Sequence, residues 1–240
     1  MIQNPICVAL DTPDVARATE LARALKVHVG FAKLGMEFFY ANGPEGYEMV
    51  AKEGLPIFLD LKLHDIPNTV ASALRSLMRL EPRPAIINVH ATGGLDMMRA
   101  AADAVDGRSF LIAVTILTSL ADADIHQVGF AAALSGRDHA AALAKLARQA
   151  GLAGVVCSPQ DVKAVKAATS RDFLTVVPGI RPADAEVQDQ KRIATPRAAR
   201  DDGADVLVIG RPIAGAADPA QAACAINKSL EQFDSASESL

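Results

Sequence analysis

The chain has 240 residues, a formal net charge of −4 and acidic and basic residues scattered along its length, so we expect no nucleic-acid surface and no basic membrane anchor. Its three cysteines show no metal-ligand spacing, which argues against a disulfide framework and a zinc site. Its first residues do not resemble a targeting segment and no apolar run is long enough to span a bilayer, so we expect a cytoplasmic protein.

Short apolar, β-branched runs alternate with helical patterns along the chain. The predicted strands are Ile6–Leu10, Phe31–Gly35, Ile57–Lys62, Ile86–His90, Phe110–Leu117, Gly154–Cys157, Leu174–Val177 and Val206–Ile209. The predicted helices, with apolar spacing of three and four, are Asp14–Leu25, Pro67–Leu80, Leu95–Val105, His139–Gln149 and Pro219–Leu230. Eight such units favour an α/β fold, a (β/α)8 TIM barrel formed by a single domain over 1–240 with a loose tail at 235–240. An open doubly wound sheet is the alternative.

The third predicted strand carries charges on one face. Because side chains alternate along a strand, Phe58, Asp60 and Lys62 point one way while the intervening leucines point the other. Ionised groups are costly to bury without partners, so this face is expected to line a polar cavity. A buried ion pair that braces the barrel mouth is the structural alternative.

Polar residues also mark the neighbouring strands. Asp11 closes the first strand, Lys33 lies inside the second, and Asn88 and His90 end the fourth. The carboxyl ends of barrel strands are where such folds build active sites, so these positions predict one. We interpret His90 as a packed, hydrogen-bonded side chain, and the histidines form no metal motif.

A Gly and an Arg follow each of the last two strands, as Gly179-Ile-Arg181-Pro and Gly210-Arg211-Pro. Glycine lets a backbone N–H approach an anion, and the guanidinium fork suits phosphate. The loops after the seventh and eighth strands of such barrels frequently hold a phosphate group. These pairs therefore predict a phosphate site, with pairing to loop acids as the alternative.

Asp65 allows two interpretations. It precedes Ile66-Pro67, so it could be the N-cap of the next helix with Pro67 in the first turn. It could equally belong to the site. Thr69 by itself is an ordinary first-turn residue.

The run Asp60-Leu-Lys62-Leu-His64-Asp65-Ile-Pro-Asn-Thr69 resembles the signature of the orotidine 5'-phosphate decarboxylase family. Further segments match in the family's order. They are Asp11 in Val-Ala-Leu-Asp, Lys33 in Ala-Lys-Leu-Gly, Asn88-Val-His-Ala-Thr-Gly-Gly, Val114-Thr-Ile-Leu-Thr118-Ser119, Pro178-Gly-Ile-Arg181-Pro, Asp189-Gln190-Lys191-Arg192 and Gly210-Arg211-Pro-Ile. The resemblance thus covers the whole chain.

The resemblance implies decarboxylation of orotidine 5'-monophosphate to UMP and CO2, the last step of de novo pyrimidine biosynthesis, without cofactor or metal. Lys62 would protonate a carbanion at C6, within a charged array of Lys33, Asp60, Lys62 and Asp65. The implied substrate contacts are Asp11 and Lys33 to the ribose, Asp60 beside the departing carboxylate, Thr118 to the pyrimidine amide edge, Gln190, Gly210 and Arg211 to the phosphate, and Arg181 on a closing loop. A homodimer is also implied, in which Asp65, Ile66 and Thr69 reach the partner's active site.

Two other functions are alternatives to the metal-free decarboxylase. Mg²⁺-dependent sugar-phosphate decarboxylases and aldolases of the same superfamily share an Asp-x-Lys-x-x-Asp motif, but they carry an acidic metal ligand where this chain has Lys33. A cation there repels a metal, which favours the metal-free reaction. The second rival is a non-catalytic barrel that binds a phosphate ligand, and binding alone does not call for an ammonium at Lys62 opposite two aspartates.

Overall fold

The computed structural model describes residues 2–182 and 193–231, and eight parallel strands close into a barrel. The strands are β1 Ile6–Ala9, β2 Phe31–Gly35, β3 Ile57–Leu63, β4 Ile86–His90, β5 Phe110–Val114, β6 Gly154–Val156, β7 Leu174–Val177 and β8 Val206–Ile209. Each strand pairs with the next along the chain, and β8 pairs with β1. The predicted TIM barrel is confirmed and the open sheet is wrong.

Helices surround the barrel. They are α1 Val15–Leu25, α2 Met36–Ala51, α3 Pro67–Leu77, α4 Gly94–Val105, α5 Asp122–Gln127, α6 Gly136–Gln149, α7 Val162–Ala168, α8 Pro196–Asp201, α9 Arg211–Ala214 and α10 Pro219–Glu231. The five predicted helices are α1, α3, α4, α6 and α10. Within the described ranges, no helix combines the length and the apolarity needed to cross a membrane.

Local chemistry explains where α1 begins. The carboxylate of Asp14 accepts hydrogen bonds from the backbone N–H groups of Ala16 and Arg17, which have no partner inside the helix. The buried positions Leu21 and Leu25 then fall on one face, four residues apart. The predicted start at Asp14 is therefore its N-cap, one residue before the first helical residue.

Side chains alternate along the strands between two apolar layers. The outer layer packs between strands and helices and includes Val8, Leu34 and Leu59. The inner cluster, which fills the barrel, consists of Cys7, Ala9, Phe31, Phe58, Ile86, Ile112, Val176, Val206 and Val208. Further along the inward-facing positions of β2, β3 and β4, apolar filling gives way to Lys33, Asp60 and Asn88. The inner core thus ends where the polar site begins.

Candidate active site

A cavity of about 470 Å³ opens at the carboxyl ends of the strands. Eight residues selected from the sequence line it: Asp11, Lys33, Asp60, Lys62, Thr118, Arg181, Gly210 and Arg211. They come from β2 and β3 and from the segments that follow β1, β5, β7 and β8. Gln190 lies outside the described residues, as do Asp189, Lys191, Arg192 and the tail 235–240.

Four of these residues form a row of alternating charge. The ammonium of Lys33 lies 3.1 Å from Asp11 Oδ1 and 3.4 Å from Asp60 Oδ2. The ammonium of Lys62 lies 2.8 Å from Asp60 Oδ1. Asp60 therefore receives one lysine on each carboxylate oxygen, and the row runs from Asp11 through Lys33 and Asp60 to Lys62. The predicted array included Asp65 but not Asp11.

Burial and nearby charge shift the pKa of Asp60 in opposite directions. Its burial is the largest influence and raises the pKa of the carboxyl, but the nearby ammonium groups of Lys33 and Lys62 and hydrogen bonds from Lys62 and Asn88 outweigh it. The net result is a pKa below the ordinary value of 3.8. Asp60 is consequently a carboxylate at neutral pH.

Burial and nearby charge also shift the pKa of Lys33 in opposite directions, and its side chain is only 12% exposed. Burial, again the largest influence, lowers the pKa of its ammonium, but Asp60 and Asp11 more than compensate and the net pKa lies above 10.5. Lys33 therefore stays charged in the barrel interior. Its position between two carboxylates is the reason.

Asn88 on β4 is a polar residue of the site to which the sequence assigned no role. It is fully buried, its Nδ2 donates to Asp60 Oδ1 at 2.7 Å, and its Oδ1 accepts from the backbone N–H of Lys62 at 2.8 Å. Its position on the inward face of β4, between apolar Ile86 and His90, was the available signal. Strand alternation predicts where the amide points but not which groups it meets.

The segments after β7 and β8 approach the cavity from the other side. Gly179 has a φ of +79°, which favours glycine, and the backbone N–H of Arg181 donates to Ala194 O at 3.0 Å. Gly210 precedes α9, which begins at Arg211. Both arginines line the cavity, as the sequence predicted for a phosphate site.

Asp65 and Thr69 do not line the cavity of their own chain. Residues 64–69 are all exposed, and the apolar residue Ile66 is 68% exposed. Asp65 Oδ1 accepts from the backbone N–H of Ile66 at 2.6 Å, and the N-cap of α3 is Ile66. The interpretation of Asp65 as the N-cap is therefore wrong, although Pro67 does occupy the first turn.

Two histidines stand beside Lys62 at the mouth of the barrel. The rings of His64 and His90 are 5.5 Å apart, centre to centre. Burial, followed by the charges of His64 and Lys62, lowers the pKa of His90 below 6.5. His90 is therefore neutral at pH 7, in keeping with the packed role expected for it.

In the part of the chain that the structure describes, carboxylates and histidines do not gather as they would around a metal. Across residues 2–182 and 193–231, no group of three or more His, Cys, Asp or Glu side chains could hold an ion. The two acids nearest each other in the cavity, Asp11 and Asp60, have the ammonium of Lys33 between them.

Comparison with known proteins identifies relatives over almost the whole chain. The profile described as "Orotidine 5'-phosphate decarboxylase / HUMPS family" matches residues 4–226. The orotidine 5'-phosphate decarboxylase of Novosphingobium aromaticivorans is 54% identical, over 95% of this chain and 100% of that protein. The enzyme of the same name from Paramagnetospirillum magneticum is 52% identical, over 95% of this chain and 98% of that protein. The crystal structure of orotidine 5'-phosphate decarboxylase from Lactobacillus acidophilus superposes with a TM-score of 0.82 at 36% identity and covers 95% of this chain and 100% of that one.

Proposed function

Because the chain belongs to the orotidine 5'-phosphate decarboxylase family, its reaction is the conversion of orotidine 5'-monophosphate to UMP and CO2, and we propose roles for its residues in that step. The reaction completes the synthesis of UMP in pyrimidine biosynthesis. The relatives at 52% and 54% identity are both named orotidine 5'-phosphate decarboxylase, the first of the two names in the family description. This disfavours a sugar-phosphate decarboxylase or aldolase.

The chemical difficulty lies at C6 of the pyrimidine. Loss of CO2 leaves an electron pair in an orbital in the plane of the ring, where the π system cannot delocalise it. The site must therefore supply positive charge beside C6 and then a proton.

Lys62 is the residue we assign to that task. The observation that carries the assignment is its ammonium, 2.8 Å from Asp60, in a cavity where a neighbouring carboxylate fixes its position before any substrate arrives. A charge that is already oriented needs no reorganisation as the carbanion forms. Lys62 would stabilise the developing electron pair and then transfer its proton to C6.

Asp60 serves this role through its geometry. It binds Lys62 with one carboxylate oxygen and Lys33 with the other, so both ammonium groups are held in one arrangement. Its low pKa keeps it ionised, and its negative charge would lie beside the substrate carboxylate. Loss of that carboxylate as CO2 would relieve the repulsion.

We propose that the step needs no metal ion. The ammonium of Lys33 already lies between the two carboxylates, Asp11 and Asp60, where a divalent cation would otherwise be attracted, and Lys62 supplies the second positive charge. Bringing Mg²⁺ to this place would require the ammonium of Lys33 to leave a buried position. The electrostatic work is assigned to Lys62 instead.

The remaining contacts are assigned along the cavity. Asp11 and Lys33 would bind the ribose hydroxyls, and Thr118 the amide edge of the pyrimidine. Arg211, with the backbone at Gly210, would bind the phosphate through charge-assisted hydrogen bonds. Arg181 and Gln190 would join them from the segment that follows β7, so phosphate binding could favour closure over the substrate.

We further propose a homodimer with shared sites. Asp65 does not line the cavity of its own chain, and it lies in the exposed run 64–69 with Ile66 at 68% exposure. The proposal rests on the family resemblance, and the exposure of these residues leaves them accessible to a second subunit. Asp65, Ile66 and Thr69 would then complete the active site of the partner and place a second carboxylate near its Lys62.

A cytoplasmic location fits the state of the thiols. Cys7 and Cys157 are buried and Cys224 is half-buried, and all three are free. Unpaired thiols are typical of proteins kept in a reducing compartment.

The assay for the whole proposal follows orotidine 5'-monophosphate by its ultraviolet absorbance, with and without EDTA. We expect rapid loss of substrate, formation of UMP and equal rates in both conditions. Turnover that EDTA abolishes and Mg²⁺ restores would contradict the metal-free mechanism, and binding without turnover would support a binding protein.

A further inference from the structure

The ladder between β3 and β4 is interrupted beside the reacting residues. Leu59 pairs with Ile87 and Leu63 pairs with Val89, so three residues of β3 stand opposite a single residue of β4. That single residue is Asn88. The interruption is a β-bulge, a feature that often re-aims side chains next to active sites.

The bulge leaves Lys62 in an unusual backbone conformation. Its φ is +53°, in the left-handed region that a residue with a side chain adopts only at some cost. Its N–H donates to a side-chain oxygen, Oδ1 of Asn88. Something must hold this conformation if the ammonium of Lys62 is to stay in place.

The side chain of Asn88 contacts both the backbone of Lys62 and the carboxylate of Asp60. Its Oδ1 accepts from the N–H of Lys62 at 2.8 Å, while its Nδ2 donates to Asp60 Oδ1 at 2.7 Å. Lys62 Nζ lies 2.8 Å from that same carboxylate oxygen, so the three residues close a ring of contacts. Because an amide is planar, the backbone of Lys62 and the carboxylate of Asp60 are fixed relative to each other.

We infer that Asn88 is a positioning residue for the decarboxylation, which sets both ends of the Lys62–Asp60 pair from behind the site. This inference rests on the proposed function. Asn88 is fully buried and lies outside the set of residues that line the cavity, so it acts through Asp60 and Lys62 and not on the substrate. An asparagine suits the position because it both donates and accepts, whereas an aspartate would set a second carboxylate against Asp60.

The test compares Asn88→Ala with a matched control, Thr175→Val. Thr175 is also fully buried and lies on β7, and its hydroxyl is within hydrogen-bond distance of Asp205 Oδ2 and Gly203 O, away from the cavity. A positional error of about 1 Å costs on the order of 100-fold in rate, so we expect kcat of Asn88→Ala to fall about 100-fold with KM for orotidine 5'-monophosphate changed less than about 3-fold. The control should lose thermal stability and keep its kcat.

A second variant and a crystal structure keep the test decisive. Asn88→Leu has a branched side chain with as many non-hydrogen atoms as asparagine and carries no charge, so it leaves no cavity and should fold even where Asn88→Ala does not, and it should also lose kcat because the donor to Asp60 and the acceptor for Lys62 N–H are both gone. Wild-type kcat in whichever variant folds would overturn the inference, as would a parallel loss of kcat in the control.

The crystal structure reports position independently of activity. In the Asn88 variants we expect the Lys62 ammonium and the Asp60 carboxylate to move or to adopt several conformers. If both keep their wild-type positions, the inference fails even though the proposed function stands. If the wild-type protein does not turn over orotidine 5'-monophosphate, the proposed function fails while the structural arm still tests what Asn88 holds in place.

Discussion

Replacing Lys62 by alanine is the sharpest test of the proposed chemistry. The substitution removes the ammonium that lies 2.8 Å from Asp60 and leaves the rest of the row in place. One preorganised electrostatic contact is worth about 10²–10³ in rate and one proton donor about 10²–10⁴. Since one group performs both tasks, we expect kcat to fall about 10⁵-fold, which corresponds to about 7 kcal/mol in the activation barrier.

The fold should survive this substitution. Asp60 keeps Lys33 at 3.4 Å and Asn88 at 2.7 Å, so no carboxylate is left buried without a partner. We therefore expect a loss of only about 1 kcal/mol, far below the 3–5 kcal/mol of a fully broken buried pair. For a chain of this size that is a fall of about 2–4 °C in Tm. Because the chain has no tryptophan, far-ultraviolet circular dichroism is the suitable probe of unfolding.

Lys163→Ala is the matched control. Lys163 Nζ lies 2.8 Å from Asp202, the same distance as in the Lys62 pair, but its side chain is 76% exposed and remote from the cavity. Its kcat should equal that of the wild type. The reasoning would be refuted by a Lys62→Ala enzyme within about 10-fold of wild-type kcat, or by one whose UMP affinity, measured by calorimetry, falls as much as its kcat.

Three further outcomes are expected. Arg211→Ala should lower kcat/KM for orotidine 5'-monophosphate by about 10–100-fold, the value of a charge-assisted hydrogen bond, and should leave turnover of orotidine, which lacks the phosphate, unchanged. An equal loss on both substrates would remove Arg211 from the phosphate site. Equimolar Asp65→Ala and Lys62→Ala, each inactive alone, should recover about a quarter of wild-type activity after subunit exchange, because half of the dimers are hybrids with one intact site. No recovery would contradict shared sites. Because burial, His64 and Lys62 lower the pKa of His90, the folded state disfavours its protonation, so stability is full above pH 6.5 and declines as pH falls from 6.5 toward the lowered value. His90→Gln should flatten that part of the stability profile in thermal melts, and an unchanged slope would exclude His90 as its source.

The sequence predicted strands better than helices in this protein. Strand starts coincide throughout, because each barrel strand is a short apolar run bounded by polar residues. The end of β5 was placed too late. The strand ends at Val114, which pairs with Val156, the last residue of β6. The N–H and the hydroxyl of Thr115 then both donate to the backbone oxygen of Val156.

Helix α2 shows what a local pattern conceals. It spans Met36–Ala51 and contains Gly43-Pro44, with Gly43 at a φ of +60°, so the breaker residues that argue against a helix mark a kink within it. Burial of Phe38 and Tyr47 against the barrel holds the two parts in place. That burial exists only in the tertiary structure.

Taken alone, the sequence determined the barrel, the face that carries the site and eight of the residues that line the cavity, because strand periodicity and the position of polar residues at strand ends are local properties. Tertiary structure decided the contacts across strands. It joined Asp11 to Lys33, left Asp65 outside the cavity of its own chain, and turned Asn88 toward a bulge in β3. These pairings depend on register and backbone conformation between distant segments, which no single strand encodes.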